Sequence, residues 1–494
     1  METVAGGPGS RPKKRKLAPL EASAKGRAAG NQGPQPGSGE DDGGAAEDRI
    51  SQIPDAILGE IVSLLPTKEG ARTQILASRW RHLWRSAPLN LDCNRVDRVI
   101  SRILAAHTGP GRRLCLPALH AGSALFYGRP AAKLEALFRS PALDNLQELE
   151  FCYFVSNRQI PGAPLCPPAS AFRFAATLRL ASIELCHLVD DLVQSLHFPQ
   201  LKHLELTEVV ISEGALHSLI AGCPALECFL LWNISGFRCA RINSLTIRSI
   251  GVLAPDDSMG TPLFEELVIE NAPLLERLLR IKLLDGLRVS VVNAPKLETL
   301  CMIDETDVST FDKTIKDVRF DSLVTMLGTV KILAFSMRIF TLDMVVDSMR
   351  FFPSLENCFV LTFEVVNCFS VYAVFQSWKK RPRNGWRRKH RHPNIRCLDI
   401  HLKTIVLESY QGTASEVNFS TFFIQNAKEL ESMTFQVKTI DDEFIAKEQR
   451  LLQVEKKASR GAQFHFTADR CLRNISDIIH VRDLDLTDPF VRRS

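Results

Sequence analysis

A short phrase, Pro-x-Leu-(Glu/Lys)-x-(Leu/Phe/Cys), recurs through the middle of this 494-residue sequence. Its prolines are Pro199, Pro224, Pro273, Pro295 and Pro353, and successive prolines are 25, 49, 22 and 58 residues apart. These intervals lie close to multiples of about 20–29 residues, a period typical of solenoid repeats. Because one such strand has an apolar face that it cannot cover alone, stacked copies are the stable arrangement. The sequence therefore predicts an α/β fold in which leucine-rich strands stack over residues 93–375.

The segment from Val209 to Ala221 is predicted to form a helix between two of these strands. Its apolar residues are Ala215, Leu216, Leu219 and Ile220. The phrases resemble the irregular leucine-rich repeats of plant proteins, and the resemblance implies a horseshoe-shaped solenoid whose concave surface binds a target protein. An unrelated α/β domain with leucine-rich strands is the alternative.

Residues 48–84 contain three short helical patterns. The apolar stripe of the first consists of Ile57, Leu58, Ile61, Leu64 and Leu65. Thr67 is predicted to cap the second helix, and the third is predicted to begin at Ser78. Three helices this short bury too little apolar surface to form a stable domain by themselves. They therefore either bind a partner or fold onto the core of the rest of the chain.

The same stretch resembles the plant form of the F-box. The family pattern Asp-Arg-Ile-Ser, Leu-Pro-Asp, Ile-Leu, Leu-Pro-Thr-Lys-Glu, Arg-Thr, Leu, Arg-Trp and Leu-Trp is matched in order by residues 48–51, 53–55, 57–58, 65–69, 72–73, 76, 79–80 and 83–84. The sequence departs from the pattern at Ile53, where Leu is preferred, and at Gly70 and Ala71, where larger residues are usual. A helical glycine costs about 0.5–1 kcal/mol relative to alanine. The departures therefore bear on the affinity for the family's partner.

An F-box over residues 47–92 implies binding to a Skp-type adaptor and, through it, to a cullin and its RING partner. Apolar helix faces that insert into a groove are a recurring mode of recognition, with aromatic anchors carrying much of the energy. The residues assigned to the adaptor interface are Pro54, Ile57, Leu58, Ile61, Leu65, Ile75, Leu76, Trp80 and Trp84. Some of them must pack the helices on one another instead.

Residues 394–468 resemble the FBD domain of plant F-box proteins. The resemblance is carried by the run from Cys397 to Gly412, by Phe422 and Phe423, and by residues 425–433, 457–463 and 464–466. The pattern predicts a strand over residues 402–407, a turn at Gly412, a helix that carries Phe422, Phe423, Ala427 and Leu430, a strand over residues 433–437 and a charged helix over residues 442–458. Such an αβ unit can cap an open solenoid.

The remaining segments are polar or basic. Residues 1–46 have the composition of a disordered tail, and within it Lys13, Lys14, Arg15 and Lys16 form a cluster typical of a nuclear import signal. Residues 376–393 form a basic linker, and residues 469–494 are a C-terminal segment. Together with Arg11, which lies just before the first cluster, the two basic stretches hold thirteen positive charges, so the net charge of +5 leaves the rest of the chain about eight charges negative.

Composition and motifs exclude several classes of protein. Thirteen cysteines without any Cys-x-x-Cys pair favour a reduced intracellular protein without a zinc site. The longest apolar tract, residues 359–375, is interrupted by Glu364 and Asn367, so no membrane span is expected. Nucleotide-binding, metalloprotease and serine-hydrolase motifs are missing from the sequence. We therefore expect no catalytic residue, no cofactor and no metal.

The resemblances imply the substrate-recognition subunit of an SCF-type ubiquitin ligase, present in the nucleus, the cytoplasm or both. A nuclear repeat protein whose weakened F-box has no ligase role is the alternative. A third reading, nucleic-acid binding through the basic residues from Lys379 to Arg391, is disfavoured because such a run is more often a solvated loop.

Overall fold

The computed structural model describes residues 50, 52–92, 100–116, 135–152, 166–253, 264–282, 288–303, 327–336, 352–361, 400–468, 478 and 480–485. The predicted disordered tail with Lys13–Lys16, the predicted linker over residues 376–393 and most of the C-terminal segment lie outside these ranges. The chain divides into two units, Met1–Ile53 and Pro54–Ser494, and the account below concerns the second.

Most strands of the described residues belong to one parallel sheet of fourteen strands. Their bounds are β1 Leu89–Asp92, β2 Gly111–Leu116, β3 Glu148–Cys152, β4 Leu180–Glu184, β6 His203–Thr207, β8 Cys228–Trp232, β10 Ser249–Leu253, β12 Arg277–Lys282, β14 Thr299–Ile303, β15 Ile332–Ser336, β16 Asn357–Leu361, β17 Thr404–Glu408, β18 Ser432–Gln436 and β19 Gln463–Thr467. Each strand pairs with the one before it in this order and runs in the same direction. The predicted α/β class with stacked parallel strands is confirmed.

The proline phrase has one fixed place in each repeat. Pro199, Pro224, Pro273, Pro295 and Pro353 each lie four residues before the first residue of a strand of this sheet. The leucine two residues after each proline is buried. A proline at this point stops a preceding helix without removing a hydrogen bond from the strand, and the leucine fixes the start of the strand in the core.

Smaller elements line the other side of the core. Between β4 and β14 they are β5 His187–Leu188, β7 Val210–Ile211, β9 Cys239–Asn243, β11 Glu266–Asn271, β13 Arg288–Val291 and the helices Asp190–Gln194 and Glu213–Ala221. Strands β9, β11 and β13 form a second parallel sheet. The predicted helix before Ala221 begins at Glu213, with Ser212 as its N-cap, and buries the apolar residues assigned to it. Three later repeats use a strand at the position where this repeat has a helix.

The helices that precede the sheet are attached to its first strand. They are α1 Asp55–Ser63, α2 Thr67–Arg72 with a 3₁₀ turn Thr73–Ile75, and α3 Ser78–Ser86. A further helix, α4 Ile100–Ala106, lies between β1 and β2. The sequence predicted that Thr67 caps α2, but its side chain accepts no hydrogen bond from the helix. Its hydroxyl donates to the Asn90 carbonyl in β1, and Asn90 Nδ2 donates to the Ser63 carbonyl. The capping prediction was wrong because the hydroxyl oxygen that would accept from a helix amide accepts the Asp92 amide at 3.4 Å instead. We call α1–α3 the helical module.

His107 joins the helical module to α4. The Gly109 amide donates to His107 Nδ1 at 3.2 Å, so the ring proton lies on Nε2, which donates to the Trp84 carbonyl at 2.8 Å. The Trp84 and His107 rings also meet edge to face, 5.0 Å apart. The module is therefore held to the repeats by specific contacts at the end of α3.

The predicted FBD segment continues the same sheet. It contains β17, the helix Ala414–Asn426, β18, the helix Asp442–Leu452, a 3₁₀ turn Val454–Lys456 and β19. The helices end earlier than the sequence suggested, so Ala427 and Leu430 lie beyond the first helix, although both are buried. No helix among the described residues has both the length and the apolar content to cross a membrane.

A buried carboxylate holds the turn after β17. Tyr410 OH donates to Glu448 Oε2 at 2.8 Å, and burial raises the pKa of the Tyr410 phenol. Gly412 has a φ of +71°, and a Cβ on it would lie 2.7 Å from Glu448 Oε1. This turn therefore needs a residue that has no side chain and accepts positive φ.

Replacing Gly412 with Ala should destabilise this end of the sheet by about 1–3 kcal/mol, because the left-handed conformation is strained and the carboxylate must move. We expect thermal unfolding to begin several degrees lower, measured by circular dichroism. Gly461→Ala is the matched control, since a Cβ at Gly461 meets nothing within 4 Å. Equal unfolding curves for the two variants would contradict this account of the turn.

Candidate functional site

The helical module leaves several large aliphatic side chains in solvent. Ile75 is 84% exposed and Leu76 is 65% exposed, both beside the 3₁₀ turn. On α1, Ile57 and Ile61 are also exposed, as is Leu64 at 67%. Soluble proteins rarely expose several large apolar residues within one short segment without a binding role. We call these five residues the aliphatic patch.

The nine residues predicted to bind an adaptor differ in their exposure to solvent. Pro54, Ile57, Ile61, Ile75 and Leu76 are exposed. Leu65 and Trp80 are half-buried. Leu58 is only 1% exposed, and Trp84 packs against the main core, so these two hold the module together. The predicted adaptor interface did not include Leu64, although Leu64 follows Ile57 by seven residues and so lies on the same helix face.

Gly70 is packed against Trp84 inside the module. A Cβ at Gly70 would lie 3.0 Å from Trp84 Nε1 and 3.1 Å from its Cδ1, so a larger residue here requires the indole to move. Gly70 is buried and is not part of the aliphatic patch. The unusual glycine therefore acts on the packing of the helices rather than on their exposed face.

The second candidate surface is the face of the large sheet that is turned away from the main core, here called the second face. Alternate strand residues point to it, and the register aligns them: Glu150 lies beside Ser182, Ser182 beside Glu205, Glu205 beside Leu230 and Leu230 beside Gly251. Apolar residues continue the row on later strands, namely Leu279, Cys301, Ala334, Phe359 and Val406. The row is thus acidic at one end and apolar beyond it.

A short C-terminal segment covers part of the second face. Ile478 and residues 480–484 are here called the docked segment. Its apolar residues Ile478, Val481 and Leu484 belong to the cluster that contains Leu180, Cys228 and Leu230. The segment forms the first part of a 3₁₀ turn, Val481–Asp485, that lies against β6, β8 and β10. Val481 and Leu484 are fully buried there.

Glu205 is the acidic residue that accepts a backbone hydrogen bond from the docked segment. It is 2% exposed; its Oε2 accepts the Val481 amide at 2.9 Å, and its Oε1 accepts the Thr207 hydroxyl at 3.2 Å. Burial raises the pKa of Glu205 to about 7, although the Val481 amide opposes that rise. His480 Nε2 lies 3.5 Å from Glu205 Oε2.

His480 and Glu150 complete the electrostatics of this surface. His480 Nδ1 accepts the Arg482 amide at 3.1 Å, so the neutral ring has its proton on Nε2; burial lowers the pKa of His480. For Glu150, burial alone would raise the pKa, but hydrogen bonding from Cys115 and the charges of Arg113 and Arg482 outweigh it and lower the pKa. The raised pKa of Glu205 and the lowered pKa of His480 both disfavour an ion pair between these two side chains.

Ionisation of Glu205 should loosen the docked segment. The titratable groups around Glu205 are Glu150, Glu184 and His480, and Arg113, Arg482 and Asp483 act in turn on His480. Because the pKa of Glu205 is raised from 4.5 to about 7, its contribution is fully present below pH 4.5 and is lost as pH rises through about 7. The loss in the free energy of folding is about 3 kcal/mol. The lowered pKa of His480 acts with the opposite sign and weakens docking in acid.

Glu205→Gln keeps the acceptor for the Val481 amide but cannot ionise. We expect hydrogen exchange of a peptide spanning the docked segment, corrected for intrinsic rates, to accelerate between pH 6 and pH 8 in the natural chain and much less in the variant. Glu431→Gln, at an exposed position away from the segment, is the control and should match the natural chain. Parallel pH profiles for all three proteins would contradict the role of Glu205.

The described residues offer no evident catalytic centre. No group of three or more His, Cys, Asp or Glu side chains in these ranges is arranged to hold a metal ion. Burial raises the pKa of the Cys186 and Cys223 thiols to about 12, which keeps them protonated and unreactive at neutral pH.

The fold and the two surfaces define a leucine-rich-repeat protein with an N-terminal helical module. Residues 134–360 match the family model for the LRR repeats of the FBD-associated F-box protein At5g56370. Residues 392–435 match the FBD model. The chain belongs to the plant F-box/FBD/LRR-repeat family.

Relatives from Arabidopsis thaliana align with most of the chain. F-box/FBD/LRR-repeat protein At3g26920 is 24% identical over 453 residues, covering 85% of this chain and 96% of the relative. F-box/FBD/LRR-repeat protein At4g00160 is 25% identical over 472 residues, covering 86% and 95%. A shorter match, 30% identical over 202 residues, is to the putative F-box/FBD/LRR-repeat protein At2g05300 and covers 38% of this chain and 42% of the relative.

Proposed function

We propose that this chain is the substrate-recognition subunit of an SCF-type ubiquitin ligase. In this role the helical module binds a Skp-type adaptor, and the adaptor connects the chain to a cullin and its RING partner. The repeats bind the target protein. The observation that carries the proposal is the aliphatic patch, which lies on the segment with the F-box pattern.

The burial pattern of the module is what an adaptor-binding segment requires. Leu58 and Trp84 face inward and Thr67 bonds to β1, so the module is held without using the aliphatic patch. Five exposed aliphatic side chains are then left for a partner. Removing such side chains from water contributes about 1.5–3 kcal/mol each, enough for several of them to support a stable complex after the costs of association.

The proposed contribution of this chain to ubiquitin transfer is proximity. A target held on the repeats has its lysines near the charged conjugating enzyme, and this raises their effective concentration. Such an adaptor needs no nucleophile, base or metal of its own. The chain is therefore proposed to be a non-catalytic subunit.

The alternative, a repeat protein with a weakened F-box, rested on Gly70 and Ala71. Gly70 lies against Trp84 and outside the aliphatic patch, so its effect on an adaptor would be indirect. We therefore favour the ligase subunit. The reading as a nucleic-acid-binding protein depends on residues 379–391, which lie outside the described residues.

Leu76→Asp should abolish adaptor binding and leave the fold intact, because the side chain is 65% exposed and contributes little to packing. The measurement is a pull-down of a purified Skp-type adaptor by the full-length chain. Leu245→Asp is the matched control, since Leu245 is also 65% exposed but lies outside the helical module. It should bind the adaptor like the natural chain.

The same pull-down includes Ile75→Asp and reads folding by circular dichroism. Folded Leu76→Asp and Ile75→Asp chains that still bind the adaptor would contradict the proposed interface. A folded natural chain that does not bind any Skp-type adaptor would contradict the ligase role itself and favour the weakened F-box.

Nuclear import is proposed for the basic cluster Lys13, Lys14, Arg15 and Lys16. Replacing all four with alanine in a fluorescent fusion of the full chain should move the fusion from the nucleus to the cytoplasm, because import receptors read clustered positive charge. The control replaces Arg11 and Lys25, two basic residues of the same tail outside the cluster. An unchanged distribution would contradict the import role.

A further inference from the structure

We propose that the second face over β3–β10 is a binding site for a short peptide segment with a cationic residue between aliphatic ones, and that the docked segment occupies this site in cis. The inference rests on the proposed function for the identity of the ligand as a segment of a target protein. The docked segment is then a built-in competitor that a target must displace.

The docked segment has the chemistry of a bound peptide. It reaches the sheet from far along the chain: Val481 and Glu205, whose amide and carboxylate meet at 2.9 Å, are 276 residues apart in sequence. At its other end, Arg277 Nη1 donates to the Leu484 carbonyl at 3.3 Å. The sheet thus supplies an acceptor and a donor to the peptide backbone, and neither bond depends on the side chains of the segment.

The aliphatic side chains of the segment fit a recess in the sheet. Val481 and Leu484 are fully buried in a cluster with Leu230 and Leu279. Gly251 forms the floor: a Cβ there would lie 2.9 Å from Leu484 Cδ2 and 2.8 Å from Leu230 Cδ1. A strand residue without a side chain thus leaves the space that Leu484 fills.

The cationic side chain of the segment fits the acidic end of the face. Arg482 Nη2 lies 2.6 Å from Glu148 Oε2 and 2.9 Å from Glu150 Oε1. Arg113 Nη2 is also 2.9 Å from Glu150 Oε1. Beside these two acids lie Glu184 and Glu205, so strands β2–β6 present four carboxylates and one guanidinium. The surplus negative charge selects a cationic ligand.

The docked segment can also dissociate from the second face. Residues 481–484 belong to a short 3₁₀ turn, which pairs with no strand of the sheet among the described residues. Arg482 keeps 39% of its side chain exposed, so solvent screens its ion pairs with Glu148 and Glu150 and they hold the segment less firmly than buried pairs would. Because the segment is tethered, its effective concentration is of millimolar order. An external peptide must therefore bind more tightly or multivalently to displace it.

The test measures binding of a fluorescent peptide with the sequence of residues 476–488 to full-length chains, by anisotropy and without any adaptor. One chain carries Val481→Asp and Leu484→Asp, which should release the docked segment. A second chain carries only Arg482→Glu, a change at a part-exposed position that should loosen the segment without threatening the fold. Circular dichroism reports whether each chain is folded.

We expect both variants to bind the peptide at least tenfold more tightly than the natural chain does. A peptide with Arg482→Glu should bind the released chain at least tenfold more weakly. Adding Glu148→Arg to the released chain should reverse that preference, which a purely structural role for these residues would not produce. In a peptide library varied at positions 481, 482 and 484, the released chain should select aliphatic, cationic and aliphatic residues respectively.

If either folded variant binds the peptide no more tightly than the natural chain, the proposal is wrong. Should the double variant fail to fold, the Arg482→Glu chain decides alone. Adaptor binding is measured on the same proteins: capture of the adaptor without peptide binding overturns only this inference, whereas peptide binding without capture of the adaptor overturns only the proposed ligase role.

Discussion

A repeated backbone hydrogen bond keeps the strands of the large sheet in register. From β3 to β18, the amide of the residue just before each strand donates to the carbonyl of the matching residue one strand earlier; Glu227 donates to Lys202 at 2.8 Å and Glu431 to Lys403 at 2.8 Å. Since the bond uses only backbone atoms, the side chains at this position are free to form exposed ion pairs such as Lys202–Glu227. The same bond continues into the FBD segment, which is why that segment extends the sheet.

This register gives the sheet two faces with different roles. One face contributes its alternate residues to the main core, where Leu204, Leu206, Phe229 and Leu231 are buried together. The other face is left with residues that no repeat neighbour covers, and there the acidic and apolar rows lie in order along the sheet. A parallel sheet with a second face of this kind needs either a partner or a segment of its own chain to cover its apolar part.

The helical module follows the same division between packing and exposure. Leu58 and Trp84 are used to build the module and to join it to the repeats, and the residues next to them in sequence remain in solvent. The chain thus presents two surfaces with different chemistry, one aliphatic on the module and one mixed acidic and apolar on the sheet. The separation suits a protein that is proposed to bring two partners together.

The sequence by itself determined the strand repeat, the positions of its prolines and which segments are helical, because these depend on local apolar spacing and on residues that start or stop an element. Several helix ends were misplaced, among them the start at Glu213 and the end at Leu452. It also located the helical module and the FBD segment. Only the tertiary structure decided which apolar residues of the module are exposed, and that Thr67 bonds to Asn90 rather than capping α2. It alone brought Val481 and Arg482 to Glu205, Glu148 and Glu150. No local pattern links residues so distant in sequence; their meeting depends on where stacking of the repeats places each strand.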